Sequence, residues 1–338
     1  MEEIVTEAVA EDRDVAAVKE LGQQVQRIRA ELAKVIHGQE EIVEKLLCCI
    51  FAGGHALLMG VPGLAKTLMV RSLADVISLE FNRIQFTPDL MPSDITGTEI
   101  LQDSDIPGAR GFQFVQGPIF SNIILADEIN RTPPKTQAAL LEAMQEYRVT
   151  AMGKTYDLDQ PFFVLATQNP IEQEGTYPLP EAQLDRFMFF ITLDYPSLED
   201  ERKIARTTTG LGVADLEKVI DGPRIRQFQE LVRRIPVPDH IYDYVVKLVR
   251  ASRPGDETAP DWVEKWVTWG AGPRAVQYLI LGGKARAALT GSYLVRAEDI
   301  NAITDVVLSH RILLNFRAES EGVTPREVVR RLVTECED

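Results

Sequence analysis

The sequence has few cysteines and no long apolar run. Its three cysteines among 338 residues, Cys48, Cys49 and Cys336, are too few for a disulfide framework. Cys48 and Cys49 adjoin in an apolar helical stretch, which indicates packing residues in a reducing compartment. No apolar run approaches the roughly 18 residues of a membrane-spanning helix, and the amino terminus is acidic where a secretory signal is basic. These absences predict a cytoplasmic protein without membrane insertion.

Basic residues are also fewer than acidic ones. The 36 Lys and Arg residues face 51 Asp and Glu residues, which gives a formal net charge of −15. Such a charge opposes nonspecific binding to nucleic acid or to anionic membranes, although it does not exclude a local basic groove. The chain is 45% hydrophobic and 26% charged, which is typical of globular proteins. Its length favours two domains, or one large domain with a smaller appendage.

A phosphate-binding loop is the most informative pattern. Residues 60 to 67 read Gly-Val-Pro-Gly-Leu-Ala-Lys-Thr and follow the apolar run 56–59. A strand that enters such a turn, with a helix leaving it, aims backbone N–H groups at an anion. Lys66 would then neutralise the outer phosphates and Thr67 would ligate magnesium. Ala65 stands where the strict pattern has glycine, and the alternative is an ordinary turn between a strand and a helix.

Short apolar runs alternate with helical patterns through the first two thirds of the chain. The runs lie near residues 56–59, 83–86, 122–126, 162–166 and 187–192. This alternation predicts a largely parallel α/β sheet, whose ligands bind at the carboxyl ends of the strands. Residues 97–117 and 147–158 interrupt the pattern and are expected to form hairpins.

The domain boundary is placed where the strand-like runs end. Residues 1–36 are predicted to form an acidic tail, as far as residue 15, and one amphipathic helix. Residues 37–196 would form the nucleotide-binding core. Residues 197–338 contain only helical patterns and are expected to form a smaller helical domain.

Two adjacent carboxylates end the apolar run 122–126. Because strand alternation sends neighbouring side chains in different directions, Asp127 and Glu128 should have different roles. Asp127 is placed to hold magnesium, and Glu128 to orient and deprotonate an attacking water. A surface turn at the end of a strand is the alternative, and the phosphate-binding loop upstream makes it the weaker one.

Three further polar residues are candidates for the same chemistry. Asn169 follows the apolar run 162–166 and would hydrogen-bond a γ-phosphate or the attacking water, unless it only caps a turn. Arg186 has the planar charge that suits a phosphoryl group in the transition state, with a salt bridge to Asp185 as the alternative. Arg274 projects from a helix start after Pro273, where an ordinary solvated arginine is the alternative.

Together these residues carry a family resemblance. The sequence resembles the MoxR-type AAA+ ATPases from about Ile36 to the last helices. The resemblance rests on five motifs in the right order: Gly60 to Thr67, Asp127 to Arg131, Thr167 to Pro170, Leu179 to Phe187, and Gly272 to Arg274. It implies that Lys66 and Thr67 belong to Walker A and that Asp127 and Glu128 belong to Walker B. Asn169 becomes sensor 1, Arg186 the arginine finger and Arg274 sensor 2.

The same resemblance implies the architecture, the cofactors and the partners. The fold would be an α/β AAA+ P-loop core with a parallel five-stranded sheet, of strand order 5-1-4-3-2, and a helical lid. ATP and Mg2+ would bind at subunit interfaces of a homo-oligomeric ring, usually a hexamer, that remodels proteins with von Willebrand factor A domains. The implied nucleotide-binding residues are Val35, Ile36, Gly38, Gly60, Val61, Pro62, Gly63, Leu64, Ala65, Lys66, Thr67 and Leu68. Relatives also carry alanine at the Ala65 position, so this departure does not imply lost activity.

Three other functions stay open at this stage. A nucleic-acid motor of related architecture is disfavoured by the acidic chain, and a metal-chelatase motor subunit is a closer relative. A nucleotide-gated scaffold would lack a catalytic residue, and none is missing here. Two assignments are also open: whether Arg131 acts on a neighbouring subunit, and whether Trp262, Trp266 and Trp269 pack within the lid or form a docking patch.

Overall fold

The computed structural model describes residues 2–103, 110–171, 175–210 and 215–337. Two helices precede the first strand, α1 (Glu2–Leu32) and α2 (Glu40–Ala52). Val18 and Leu21 of the predicted amphipathic stripe are fully buried. Helix α1 begins at Glu2, whereas the sequence pattern predicted a tail as far as residue 15. That stretch lacks apolar periodicity, but it is rich in alanine and glutamate, which favour helix without needing a packed face.

Residues 56 to 192 alternate between strands and helices. In chain order they form β1 (Ala56–Met59), α3 (Lys66–Val76), β2 (Phe81–Gln85), α4 (Pro92–Thr96), β3 (Gly97–Asp103), β4 (Arg110–Gln116), β5 (Ile123–Asp127), a 3-10 turn (Ile129–Arg131), α5 (Pro134–Glu146), β6 (Arg148–Ala151), β7 (Lys154–Asp157), β8 (Phe163–Gln168), α6 (Glu181–Leu184) and β9 (Phe189–Thr192). Five strands make one parallel sheet in the order β2-β5-β8-β1-β9. Counted along the chain within this sheet, that order reads 5-1-4-3-2 from one edge, which confirms the prediction.

The strand register brings the predicted motifs to one edge of the sheet. Every residue of β8 is buried, as expected of a central strand covered by helices on both faces. Met59 at the end of β1 pairs in register with Gln168 at the end of β8, and Gly60 N donates to the Gln168 carbonyl oxygen at 3.2 Å. The loop after β1 therefore lies beside the ends of β5 and β8.

Both predicted insertions form antiparallel hairpins. Strand β3 pairs with β4 from Gly97–Gln116 to Asp103–Arg110, and β6 pairs with β7; residues 104–109 of the first insertion lie outside the described residues. The hairpins pack against each other, since the rings of Phe114 and Tyr156 stack with centroids 4.2 Å apart. Lys154 Nζ lies 3.0 Å from Glu99 Oε1 in the same contact.

The remainder of the chain is helical apart from one short ribbon. It contains α7 (Leu198–Thr208), α8 (Gly222–Arg234), α9 (Asp239–Ala251), α10 (Asp261–Trp266), β10 (Val267–Trp269), α11 (Pro273–Leu289), α12 (Ala297–Leu308), β11 (Leu313–Leu314), α13 (Phe316–Ser320) and α14 (Pro325–Glu337). Strands β10 and β11 pair antiparallel, in segments that the sequence predicted as helix throughout. Trp269 therefore leaves the helical face shared by Trp262 and Trp266.

The carboxyl-terminal helices are tied to the core through a buried arginine. Arg311 Nε donates to Asp185 Oδ1 at 2.7 Å, and its Nη2 donates to the Phe187 carbonyl oxygen at 2.8 Å. Burying a guanidinium is costly unless its donors are satisfied, so this contact fixes how the helical part sits on the strand end before β9. None of the described helices is long and apolar enough to span a bilayer.

Candidate active site

The loop after β1 joins a strand to a helix, as the sequence predicted. It ends in α3, whose first residue is Lys66, and Lys66 Nζ donates to the Gly60 carbonyl oxygen at 2.6 Å. Ala65 has a φ of 53°, in the left-handed region where glycine is favoured, so the missing glycine leaves the loop geometry unchanged. A Cβ on Gly60 would lie 2.9 Å from the Leu193 Cβ, which explains glycine at that position.

A cavity of about 370 Å³ opens in front of this loop. Its lining contains most of the predicted phosphate and magnesium residues, together with one arginine that was not predicted. The lining residues are Pro62, Gly63, Leu64, Ala65, Lys66, Thr67, Leu68, Arg83, Asp127, Glu128 and Asn169. Burial lowers the pKa of Lys66, while Asp127 and Glu128 act in the opposite sense. We call this space the phosphate cavity.

Asp127 is held by two partners at the end of β5. Thr167 Oγ1 donates to Asp127 Oδ1 at 2.6 Å, and Arg83 Nη2 lies 2.6 Å from Asp127 Oδ2. Thr167 comes from the neighbouring strand β8 and Arg83 from β2 on the other side. The carboxylate is thus oriented from both flanking strands and faces the same cavity as Thr67.

Glu128 occupies a distinct position although it adjoins Asp127. Its φ of 57° is left-handed, a strained conformation for glutamate, and its N–H donates to Thr167 Oγ1 at 2.9 Å. The carboxylate accepts from Gln85 Nε2 at 3.0 Å and lies 3.1 Å from Arg131 Nε. The predicted divergence of the two carboxylates is thus present, and Arg131 is a partner of Glu128.

Asn169 presents a free donor to the phosphate cavity. It follows β8 and is buried, and its Oδ1 accepts from Ile171 N at 3.1 Å. Its Nδ2 is buried without a hydrogen-bond partner among the described residues. Because buried donors are nearly always paired, this amide is suited to an acceptor supplied by a ligand such as a phosphate oxygen.

A second cavity of about 350 Å³ adjoins the first and shares five residues of the loop, Pro62 to Ala65 and Leu68. Its other lining residues are Val35, Ile36, His37, Gln39, Tyr195, Pro196, Glu201, Ile204, Ala205 and Thr208. Val35 and Ile36, which the resemblance placed beside an adenine base, both line this cavity. Gly38 has a φ of 73° and lies under the Asp200 side chain, beside this cavity and outside its lining. We call this space the base cavity.

Gln39 gives the base cavity a polar contact. Its Nε2 donates to the Leu64 carbonyl oxygen at 3.3 Å, and its Oε1 is buried without a partner among the described residues. An unpaired buried acceptor in a largely apolar pocket suits a ligand that carries an N–H donor.

Arg186 and Arg274 lie outside the linings of both cavities. Arg186 Nη1 donates to the Leu141 carbonyl oxygen at 3.1 Å, and Arg274 Nη1 lies 2.7 Å from Asp185 Oδ2. Asp185 forms ion pairs with Arg274 and Arg311. These partners replace Arg186, which the sequence offered as the alternative partner of Asp185. Arg274 is thus paired with the residue that precedes Arg186 in the chain.

Some residues of the site were not predicted from the sequence. Arg83 and Gln85 both contact the acidic pair, and their spacing of two on β2 was the available signal, because it places both on one face of a strand. Tyr195 and Ile204 follow β9; the sequence assigned Tyr195 to the end of the core and Ile204 to the helical domain. No local pattern connected them to the loop at residue 60.

The residues present fit a magnesium-bound nucleoside triphosphate. The phosphate cavity offers an ammonium group, a free amide donor, a hydroxyl and a carboxylate within one space. No cluster of three or more His, Cys, Asp or Glu side chains able to hold a metal occurs among the residues that the structure describes. Mg2+ commonly takes one or two protein ligands and completes its shell with phosphate oxygens and water, which Thr67 and Asp127 would allow.

Two family models match the chain. Residues 55–189 match the model described as "ATPase family associated with various cellular activities (AAA)", and residues 261–332 match the AAA lid domain. The chain is 41% identical to Chaperone MoxR1 of Mycobacterium tuberculosis, covering 91% of this chain and 81% of that protein. It is 29% identical to Protein MoxR of Methylorubrum extorquens, with 85% and 87% covered.

A solved structure has the same fold over nearly its whole length. A crystal structure of a protein from Cytophaga hutchinsonii, described as a candidate ATPase, superposes with a TM-score of 0.88. It is 40% identical in sequence, and the match covers 97% of this chain and 98% of that one. The core, the helical part and their placement are therefore common to both chains.

Proposed function

The chain belongs to the MoxR-type AAA+ ATPases, and from this we propose that it hydrolyses Mg·ATP in an oligomeric ring and remodels partner proteins. The observation that carries the proposal is the convergence of Lys66, Asp127, Glu128 and Asn169 on one cavity. The base cavity beside it would take the adenine, with Val35 and Ile36 against the ring. Gln39 Oε1 would accept from the adenine amino group.

Five polar residues of the phosphate cavity would each contribute to this mechanism. Lys66 would leave the Gly60 carbonyl and bind the outer phosphates, and the Asn169 amide would donate to the γ-phosphate or to the attacking water. Glu128 would take a proton from that water. Mg2+, held by Thr67 and Asp127, would neutralise charge on the phosphates when bound.

Glu128 must exchange partners before it can act. In the structure its carboxylate accepts from Gln85 and pairs with Arg131, and these contacts would have to be released for it to act on a water. Basal turnover is therefore expected to be slow until nucleotide or a neighbouring protomer changes these contacts.

Arg186 and Arg274 are proposed to act on the nucleotide of a neighbouring protomer. Neither side chain lines the phosphate cavity or the base cavity of its own chain: Arg186 donates to the Leu141 carbonyl oxygen, and Arg274 pairs with Asp185. An arginine supplied from a neighbour typically raises turnover about 10³ to 10⁵-fold. Hydrolysis would then depend on assembly into the ring, which we expect to be hexameric.

The experiment that tests this function compares Glu128→Gln with the wild-type chain. Glu128→Gln should bind a fluorescent ATP analogue with unchanged affinity while losing phosphate release, because the amide keeps the size of the side chain but removes the base. Unchanged turnover in this variant would refute the role of Glu128. Tyr242→Ser on the exposed side of α9 is a matched control that should leave both measurements unaltered.

Mixing two inactive variants tests the contribution of the neighbour. Arg186→Ala keeps its own Glu128, and Glu128→Gln keeps its own Arg186, so mixed assemblies contain some complete sites. Partial recovery of turnover is expected on mixing. No recovery in assemblies shown to be mixed would refute the assignment of Arg186.

The client is proposed to be a protein with a von Willebrand factor A domain. The chaperone name of a 41% identical relative supports a protein client. Full-length Glu128→Gln in Mg·ATP, which would hold the ATP state, should retain the client in a pull-down. The same variant without nucleotide should release it.

A further inference from the structure

Three exposed apolar side chains lie near Asp185, the ion-pair partner of Arg274. Trp269 on β10 and Leu313 on β11 are cross-strand partners, and Phe316 begins α13; they are 70%, 37% and 83% exposed. Trp269 and Leu313 line the same small cavity as Asp185, the residue that precedes Arg186. We call these three residues the ribbon patch. Exposed aromatic side chains grouped in this way are typical of binding surfaces.

A second apolar set borders the nucleotide cavities. Tyr195 and Leu198 are 72% and 68% exposed. Tyr195 lines the base cavity together with Leu68, which is also exposed, and Leu198 is the first residue of α7. We call these three residues the α7 patch. It contains large apolar side chains at the mouth of the site where the nucleotide is expected.

We propose that the ribbon patch of one protomer packs against the α7 patch of a second copy of this chain. The inference rests on the proposed function, because Arg186 must reach the phosphates of the next protomer. Residues beside Arg186 then have to face residues beside that nucleotide. The ribbon patch borders Asp185 and the α7 patch borders the loop at residue 60, so each patch lies on one side of that contact.

The charges around the two patches are complementary. Arg274 pairs with Asp185, which lines the same small cavity as Trp269 and Leu313, whereas the first turn of α7 carries three consecutive acids, Glu199, Asp200 and Glu201. Opposite charges at the rim of an apolar contact orient two partners and disfavour like-to-like pairing. Because the two surfaces differ, the contact is head-to-tail, and repetition about an axis generates a ring.

Sedimentation velocity of full-length protein with Mg·ATPγS tests the pairing directly. The double variant Trp269→Ser/Phe316→Ser removes the ribbon patch, and Leu198→Glu introduces a charge into the α7 patch without altering the lining of the base cavity. Each variant alone should remain monomeric where the wild type assembles, with self-association weakened about 30-fold or more, as for hot-spot residues. Tyr242→Ser, an exposed apolar residue outside both patches, should assemble like the wild type.

An equimolar mixture of the two variants gives the more specific result. Only the intact α7 patch of the double variant can pair with the intact ribbon patch of Leu198→Glu, so assembly should stop at a 1:1 dimer. Three results would each overturn the proposed pairing: either variant assembles like the wild type, one variant forms homodimers, or the mixture forms no heterodimer. A wild-type chain that stays monomeric in Mg·ATPγS would overturn it as well.

Nucleotide binding separates failure of this interface from failure of the proposed function. A fluorescent ATP analogue should bind both monomeric variants as it binds the wild type, because neither variant alters a side chain that lines the phosphate cavity or the base cavity. If the analogue binds but the variants assemble normally, only the patch pairing is refuted. If the wild type does not bind the analogue at all, the ATPase proposal itself fails.

Discussion

Acid should destabilise the protein through one buried histidine. The His55 ring lies inside the core, where Nδ1 accepts from Val164 N–H at 3.0 Å and Nε2 is 2.9 Å from the Met144 carbonyl oxygen. The first contact requires an unprotonated Nδ1, and the second then requires a proton on Nε2. This neutral tautomer joins β8 to α5. Protonation would place a second donor against the Val164 N–H in an apolar site.

The magnitude follows from the displaced pKa. Desolvation lowers the pKa of His55 from 6.5 to about 4, so the unfolded chain binds a proton at a pH where the folded chain does not. The stabilisation is complete above about pH 6.5 and is lost as the pH falls toward about 4. Between about pH 7.5 and pH 5 the free energy of unfolding should drop by about 2 kcal/mol from this residue alone.

Urea unfolding followed by circular dichroism can isolate this contribution. His55→Gln keeps one donor and one acceptor but cannot titrate, so its stability relative to the wild type should rise by about 2 kcal/mol over the same pH interval. His240→Gln, at an exposed histidine on α9, should run parallel to the wild type and serves as the control. Burial and the nearby Arg311 also lower the pKa of His310. Because His310 is present in the wild type and in His55→Gln, its contribution cancels in the comparison. A difference between His55→Gln and the wild type that does not vary with pH would refute the reasoning.

Three substitutions in the site have expected outcomes. Ala65→Gly should raise the free energy of unfolding by about 1 kcal/mol in urea titrations, because glycine adopts a φ of 53° without the Cβ penalty. Gly60→Ala should lower it by about 1 to 3 kcal/mol and weaken binding of a fluorescent ATP analogue, since the added Cβ lies 2.9 Å from that of Leu193. Gln85→Ala should increase basal phosphate release, because Glu128 loses one resting partner; unchanged or lower release would count against that restraint.

Much of the core could be predicted because its signals are local. Uninterrupted apolar runs such as residues 162–166 identify buried parallel strands, and their polar ends mark the site because parallel strands end at one edge. Asp127 and Asn169 reach the same cavity for that reason. The β10–β11 pairing could not be predicted, because it joins segments about 45 residues apart and each is too short to show a strand period. The Asn169 amide and Gln39 Oε1 became notable only once their burial without partners was visible.

The sequence and the structure give different information about Arg186 and Arg274. The residue type and the helix start around Arg274 predict a phosphate contact, but a motif carries no information on which chain supplies the phosphate. In the structure Arg274 pairs with Asp185 and Arg186 donates to Leu141, and neither lines the phosphate cavity or the base cavity. Under the proposed function, a charge that acts on ATP and lies outside the cavities of its own chain requires a second site within reach. The geometry of one protomer therefore favours a catalytic unit that is shared between two copies.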